Sequence, residues 1–202
     1  HNGFEPIGDD CTVLDMGAEA LVLSTDMLIE DVHFLRGASS AEEVGYKSLM
    51  VNISDVAAMG ATPTATLLSL SLPESAQGEW AEGFMRGFYE GCAKYGVALV
   101  GGDTTASRDK IVINVVAIGR APKESIRRRS AAQVGDIIAV TGKLGVSSKG
   151  LVDIMFGDLN TPAAKAHRRG QARIEEGKFL GSCSAVHAMM DVSDGIASDI
   201  KH

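Results

Sequence analysis

Apolar and polar positions follow two periods along this chain. Leu21-Val22-Leu23 and Met27-Leu28 are apolar runs flanking Ser24, Thr25 and Asp26, so Val22 to Phe34 predicts a buried strand interrupted by oxygen-bearing side chains. Cys11 to Leu14, Thr64 to Leu72, Val97 to Val100, Ile111 to Ile118 and Ile137 to Val140 predict further strands. Between them the period lengthens. Tyr46, Leu49, Met50, Ile53, Val56 and Ala57 recur at helical spacing behind a capping box of Ser40 and Glu43. Phe84, Phe88, Cys92 and Tyr95 form a second stripe within Trp80 to Tyr95, which reads as core rather than cofactor contact. A helix opens at about Leu151, Gly157 to Lys178 reads as helical, polar and basic, and a last strand-then-acid pattern covers Met189 to Asp194. We therefore expect an α/β (α+β) fold in two parts, residues 1–142 and the beginning of a second α/β domain over 143–202.

Composition narrows the class. A chain of 202 residues with 45% apolar content can bury a sizeable core. A net charge of -7 argues against nucleic acid as a partner, and the one basic run, Arg127-Arg128-Arg129, is short. The longest uncharged run, Val56 to Pro73, is broken by Gly60 and Pro63 and is no membrane span. Cys11, Cys92 and Cys183 form no C-x-x-C pair, so free thiols and a cytoplasmic location are expected. The chain opens without Met and stops soon after a helix begins at Ile196, so we expect it to be a piece of something longer.

The chemistry lies in where the acids stand. Asp26 interrupts an apolar strand, where a lone carboxylate would be costly to bury, and Ser24, Thr25 and Asp26 are the hard oxygen donors that Mg²⁺ takes. Gly8-Asp9-Asp10 precedes the first strand, and neighbouring carboxylates there point to opposite faces, which favours Asp10 as the one that joins Asp26. Asp55 projects from a helix among small residues, on a face shared with Ser48 and Asn52. Gly101-Gly102-Asp103-Thr104-Thr105 follows a strand, suiting close approach of phosphate beside a metal ligand, yet it is neither a Walker A loop nor a Rossmann fingerprint. Asp191 and Asp194 bracket Ser193, and the Gly145 to Gly150 loop has the composition of an anion site at a helix start. If these acids converge without metal, each close pair costs about 1–4 kcal/mol. Convergence thus implies several divalent cations, and with a glycine-rich loop it points to a nucleoside triphosphate and phosphoryl transfer.

The segments GDDC (8–11), LSTDML and DVHF (23–34), YKSLMVNISDVAAMGA (46–61), LVGGDTT (99–105), RRS before GD (128–136), VTGKLG (140–145) and MMDVSDGIASD (189–199) together closely resemble the thiamine-monophosphate kinases. These belong to the ATP-binding superfamily that includes aminoimidazole ribonucleotide synthetase. The resemblance implies a mixed-sheet amino-terminal domain with helices on one face, binding ATP and Mg²⁺ and joining a second copy in a homodimer whose strands form one barrel. It implies direct transfer of the ATP γ-phosphoryl group to thiamine monophosphate, with several Mg²⁺ and no phosphorylated side chain. Carried over by position, Asp10, Ser24, Thr25, Asp26, Asp55, Asp103, Asp191 and Asp194 correspond to metal ligands. Gly102, Asp103, Arg129 and Ser193 correspond to nucleotide contacts, and His33 to a substrate contact. Family members extend further at both ends and bring further substrate-binding groups beyond His202; where a proline-containing segment is expected near His167, this chain has Gly170. Another synthetase of the superfamily, of the aminoimidazole ribonucleotide or selenophosphate type, shares the Asp and Gly framework; a nucleotide-binding dimerisation module without turnover is the alternative from another class.

Overall fold

A computed structural model describes residues 7–201, so any feature expected of residues 1 to 6 or of His202 lies outside the described residues. One five-stranded sheet carries the fold. Its strands are β1 (Thr12–Asp15), β2 (Glu19–Ile29), β3 (Thr62–Leu72), β4 (Ala98–Ala106) and β5 (Val112–Pro122), in the order β1-β2-β5-β3-β4. All neighbours run antiparallel except β3 and β4, which are parallel and joined through a helix as parallel pairs require. Two long helices, α1 (Ala41–Ala58) and α2 (Glu79–Tyr95), cover one face. The expected mixed sheet with helices on one face is present.

The alternation along the strands explains the layering. Val22 and Leu28 of β2, Leu68, Leu70 and Leu72 of β3, and Ile113, Val115 and Ala117 of β5 are buried, and they meet Leu49, Ile53 and Val56 of α1 and Phe84 and Phe88 of α2 in one core. Burying the Val, Leu, Ile and Phe side chains among these contributes roughly 1.5–3 kcal/mol each before entropy is counted. α1 begins at the expected capping box: the Glu43 N–H donates to Ser40 Oγ at 3.1 Å, and the Ser40 N–H donates to Glu43 Oε2 at 3.0 Å. α1 and α2 approach so closely that a Cβ on Gly87 would sit 1.9 Å from the Glu42 carbonyl oxygen. Any larger residue there would force the helices apart.

Beyond β5 the chain is helical: α3 (Val146–Met155), α4 (Pro162–Arg169), α5 (Ile174–Ser182) and the short α6 (Ile196–Asp199). α3 packs on α4, while α4 and α5 rest on α1. Buried Arg168 donates from Nε to Glu43 at 2.9 Å, and the Arg169 guanidinium lies 4.1 Å from the Tyr46 ring centre. Several boundaries differ from expectation, among them the start of α3, which lies at Val146 rather than near Leu151 and takes in most of the expected Gly145 to Gly150 loop. β2 ends at Ile29 and turns through Asp31, whose φ is +65°, so His33 and Phe34 are not in the strand. The Gly157 to Lys178 helix is two helices, broken at Gly170. Neither Ile137 to Val140 nor Met189-Met190 is a strand: they are irregular, and Ile137 is 93% exposed. A short apolar run becomes a strand only when a neighbour takes up its hydrogen bonds, and among the described residues none does. No helix among the described residues is long and apolar enough to cross a membrane.

Candidate functional site

The site forms where β1 peels away from β2. β1 is registered with β2 only as far as Thr12 opposite Leu23, so from Ser24 onward that edge of β2 is open. Even-numbered residues of β2 face the helices, which turns Ser24 and Asp26 toward the end of α1. Ser24 Oγ donates to Asp55 Oδ2 in a short hydrogen bond, and the Asp26 N–H donates to Asn52 Oδ1 at 2.9 Å. Asp10 arrives from the segment before β1, and Asp191 from the segment between α5 and α6. Ser54 Oγ, the neighbour of Asp55, donates to Asp191 Oδ2 at 3.1 Å. Three segments far apart in sequence thus bring one carboxylate oxygen each from Asp10, Asp55 and Asp191 within 4.8 Å of one another.

Burial and mutual repulsion govern these acids. Asp55 is pushed up to about 8, first by burial and then by Asp191, Asp26 and Asp10, against the opposing pull of the Ser24 hydroxyl. Asp191 is pushed up to about 6 by burial and then chiefly by Asp10. Burial likewise raises Asp26. Burial also raises Asp10, although the Arg129 guanidinium pairs with both of its oxygens. The Arg129 N–H donates to Asp9 Oδ1 at 2.8 Å, so both acids of the Gly8-Asp9-Asp10 turn hold this arginine. Cys11, buried beside the cluster, is held as a thiol by burial and by the surrounding carboxylates. The donor set consists of hard oxygens whose repulsion Arg129 and the Ser24 and Ser54 hydroxyls relieve only in part, which is the chemistry of a divalent-cation site.

Not all expected residues meet there. Asp103 is opposite Ser69, which is opposite Asn114, and these odd positions of β4 and β3 point away from the helices. Thr25 shares that far face: its hydroxyl donates to the Val115 carbonyl oxygen at 3.1 Å and accepts from Asn114 Nδ2 at 2.9 Å. Within one chain, Asp103 and Thr25 are therefore separated from Asp55 by the sheet itself. The expected glycine-rich phosphate loop is likewise part of β4. Gly102 is needed because a Cβ would lie 1.8 Å from the Leu68 carbonyl oxygen, a reason of strand packing. Ser193 and Asp194 lie on the exposed bend after Asp191. His33 sits in the turn after β2, where the Ile29 N–H donates to its Nδ1 at 2.9 Å; the neutral ring therefore carries its proton on Nε2. Asn52 and Ser54 were not singled out as site residues from the sequence. Their signal was present, since both are polar positions within the turn that leads to Asp55.

Residues 8–121 match the model of the AIR synthase related protein, N-terminal domain. Among characterised relatives, the chain is 38% identical over 208 residues to the thiamine-monophosphate kinase of Bacillus subtilis, covering 96% of this chain and 62% of that protein. Among solved structures, "AaThiL complexed with AMPPCP and TMP" superposes with a TM-score of 0.89 at 36% identity, covering 96% of this chain and 62% of that one. The thiamine monophosphate kinase of Aquifex aeolicus superposes with a TM-score of 0.86 at 35% identity, covering 96% and 65%. The chain thus spans less than two thirds of the length of these relatives. With the family model matching more than half of its residues, and the matched stretch carrying the sheet, α1 and Asp55, the chain belongs to the AIR synthase related proteins.

Proposed function

We propose that this chain is the nucleotide- and metal-binding part of a kinase that uses ATP to phosphorylate thiamine monophosphate to thiamine diphosphate. The observation that carries this reading is the convergence of Asp10, Asp55 and Asp191, with Ser24 and Asp26 beside them, in a chain so similar to the kinases named above. Asp10, Asp26, Asp55 and Asp191, with the Ser24 hydroxyl, would hold Mg²⁺. Bound there, the cations supply charge neutralisation and alignment for a phosphate chain. Arg129 is free to exchange Asp10 for phosphate oxygens once a cation takes over the carboxylate, which suits its expected nucleotide contact. The neutral His33 presents an Nε2–H beside Asp26, suited to donating to an oxygen of the acceptor phosphate. That oxygen forms the new bond to the γ-phosphorus as the bond to the departing ADP breaks. Burial and the neighbouring carboxylates keep the Cys11 thiol protonated, in keeping with a direct transfer that phosphorylates no side chain.

The same reading assigns a homodimer. β4 is an exposed edge strand, and Leu67 and Met27 are uncovered on the helix-free face, as a barrel closed by a second copy would require. Asp103, Thr25 and Gly102 then belong to the dimer's site rather than to the cluster within one chain, and Ser193 and Asp194 to the closed state of the second domain, which we place from residue 143 onward. Free Cys11, Cys92 and Cys183 fit a cytoplasmic protein. The test is release of ADP by the full-length protein with Mg²⁺ and ATP, with and without thiamine monophosphate, and ³¹P NMR of the product. Dependence on thiamine monophosphate with appearance of a diphosphate supports the proposal; ADP release with another acceptor only, or none, overturns it.

A further inference from the structure

We propose that Asn52 is a positioning residue for this site: its buried amide pins the Asp26 peptide to α1 and so sets the Asp26 carboxylate against Asp55. This rests on the divalent-cation reading of the site and adds to it a residue that binds no ligand itself. Asn52 is fully buried in a helix whose neighbouring inward positions, Leu49, Ile53 and Val56, are apolar, so an unpaired amide there would be costly. Both of its polar atoms are paired instead. Oδ1 accepts from the Asp26 N–H at 2.9 Å, and Nδ2 donates to the Ser48 carbonyl oxygen at 2.9 Å.

The position of that bond explains the need for it. β1 pairs with β2 no further than Leu23, so the Asp26 N–H falls just past the end of the ladder, on the open edge. Asn52 supplies the acceptor that a strand would have supplied, from the helix that also bears Asp55 three residues later, on the same face. A strand partner would leave α1 free to shift relative to β2. A helix-borne amide ties the two ligand-bearing elements together, and the Nδ2 bond back to Ser48 fixes the rotamer that does so.

The test is a titration of the protein with Mn²⁺ alone, reading free Mn²⁺ by its electron paramagnetic resonance signal, for the wild type, Asn52→Ala, Asn52→Asp, Asp26→Asn and the double variant Asn52→Ala/Asp26→Asn. Melting without metal shows that each is folded at the working temperature; Asn52→Ser, which keeps a polar atom but falls short of Asp26, replaces Asn52→Ala if that variant is not. The expected result is a Mn²⁺ midpoint about 10–100-fold higher in Asn52→Ala, the range for loss of a group that orients a ligand. Asn52→Asp keeps an acceptor for the Asp26 N–H but loses the Nδ2 donor that fixes the rotamer, so its midpoint falls between those of the wild type and Asn52→Ala. In the Asp26→Asn background Asn52→Ala adds less than about twofold, because the ligand it positions has gone. An unchanged midpoint in folded Asn52→Ala, or an equal shift in both backgrounds, overturns the role of Asn52 while leaving the cation site standing. A wild-type protein that binds no Mn²⁺ overturns both.

Discussion

Replacing Asp55 by Asn should make the metal-free protein more stable and the metal-bound protein less so. The Asp55 carboxyl stands at about 8 in the folded chain against an ordinary 3.8, so between about pH 4 and pH 8 the native state holds a proton that the unfolded chain has released. Stability without metal therefore falls as pH rises through that window. Were the whole difference realised, ionising Asp55 would cost the fold roughly 5 kcal/mol at pH 8.5. Asn is neutral, similar in shape, and keeps an oxygen for the Ser24 hydroxyl. Solvent access and relaxation reduce the gain to about 1–3 kcal/mol, which for a chain of this size raises the melting temperature by roughly 3–10 °C. With Mg²⁺ at about 1,000 times its Kd the wild type instead gains about 4.1 kcal/mol, and the variant little. Calorimetric melts at pH 5 and pH 8.5, in EDTA and in Mg²⁺, read all four corners. In EDTA, Asp55→Asn should exceed the wild type at pH 8.5 by clearly more than it does at pH 5, and in Mg²⁺ at pH 8.5 the order should invert. A variant that melts at or below the wild type in EDTA at pH 8.5, or that gains as much at pH 5, refutes the reasoning.

Arg129→Met leaves the buried Asp10 carboxylate without its partner, so the metal-free fold should lose about 3–5 kcal/mol in urea unfolding, Mn²⁺ should restore most of it, and ATP binding should weaken in calorimetry. Ser54→Ala removes the bond that holds Asp191 to α1; a loss of about 1 kcal/mol and faster proteolytic cleavage between α5 and α6 are expected, and unchanged cleavage would count against the tether. Asp103→Asn, on the far face of the sheet, should leave Mn²⁺ binding by the Asp10–Asp55–Asp191 cluster within about twofold of wild type. A tenfold loss in the monomeric chain would show that Asp103 reaches the cluster after all.

The sequence made the elements readable where periodicity was strong. The Ser40 to Glu43 capping box, the α1 stripe and the Phe84–Phe88 stripe lie where the spacing predicts, because each depends on contacts one turn apart. The acids were readable as a group, since a carboxylate interrupting an apolar run needs a reason. What could not be read was the face each one takes. Asp26 and Asp103 both follow apolar residues in strands, yet they point to opposite sides of the sheet, and that parity is set by register across β2, β5, β3 and β4. The helical spacing puts Asn52 on the Asp55 face, but its role does not follow from that spacing, because it depends on the point at which β1 stops pairing with β2. Ile137 to Val140 has the composition of a strand and lacks only a neighbour.

Anomalous diffraction from crystals grown with Mn²⁺ and a non-hydrolysable ATP analogue tests the central claim most directly. Peaks in bonding contact with carboxylate oxygens of Asp10, Asp55 and Asp191, and also with the analogue's phosphates, are the predicted result. A nucleotide bound elsewhere, or Mn²⁺ peaks that leave all three of these acids uncoordinated, would contradict it.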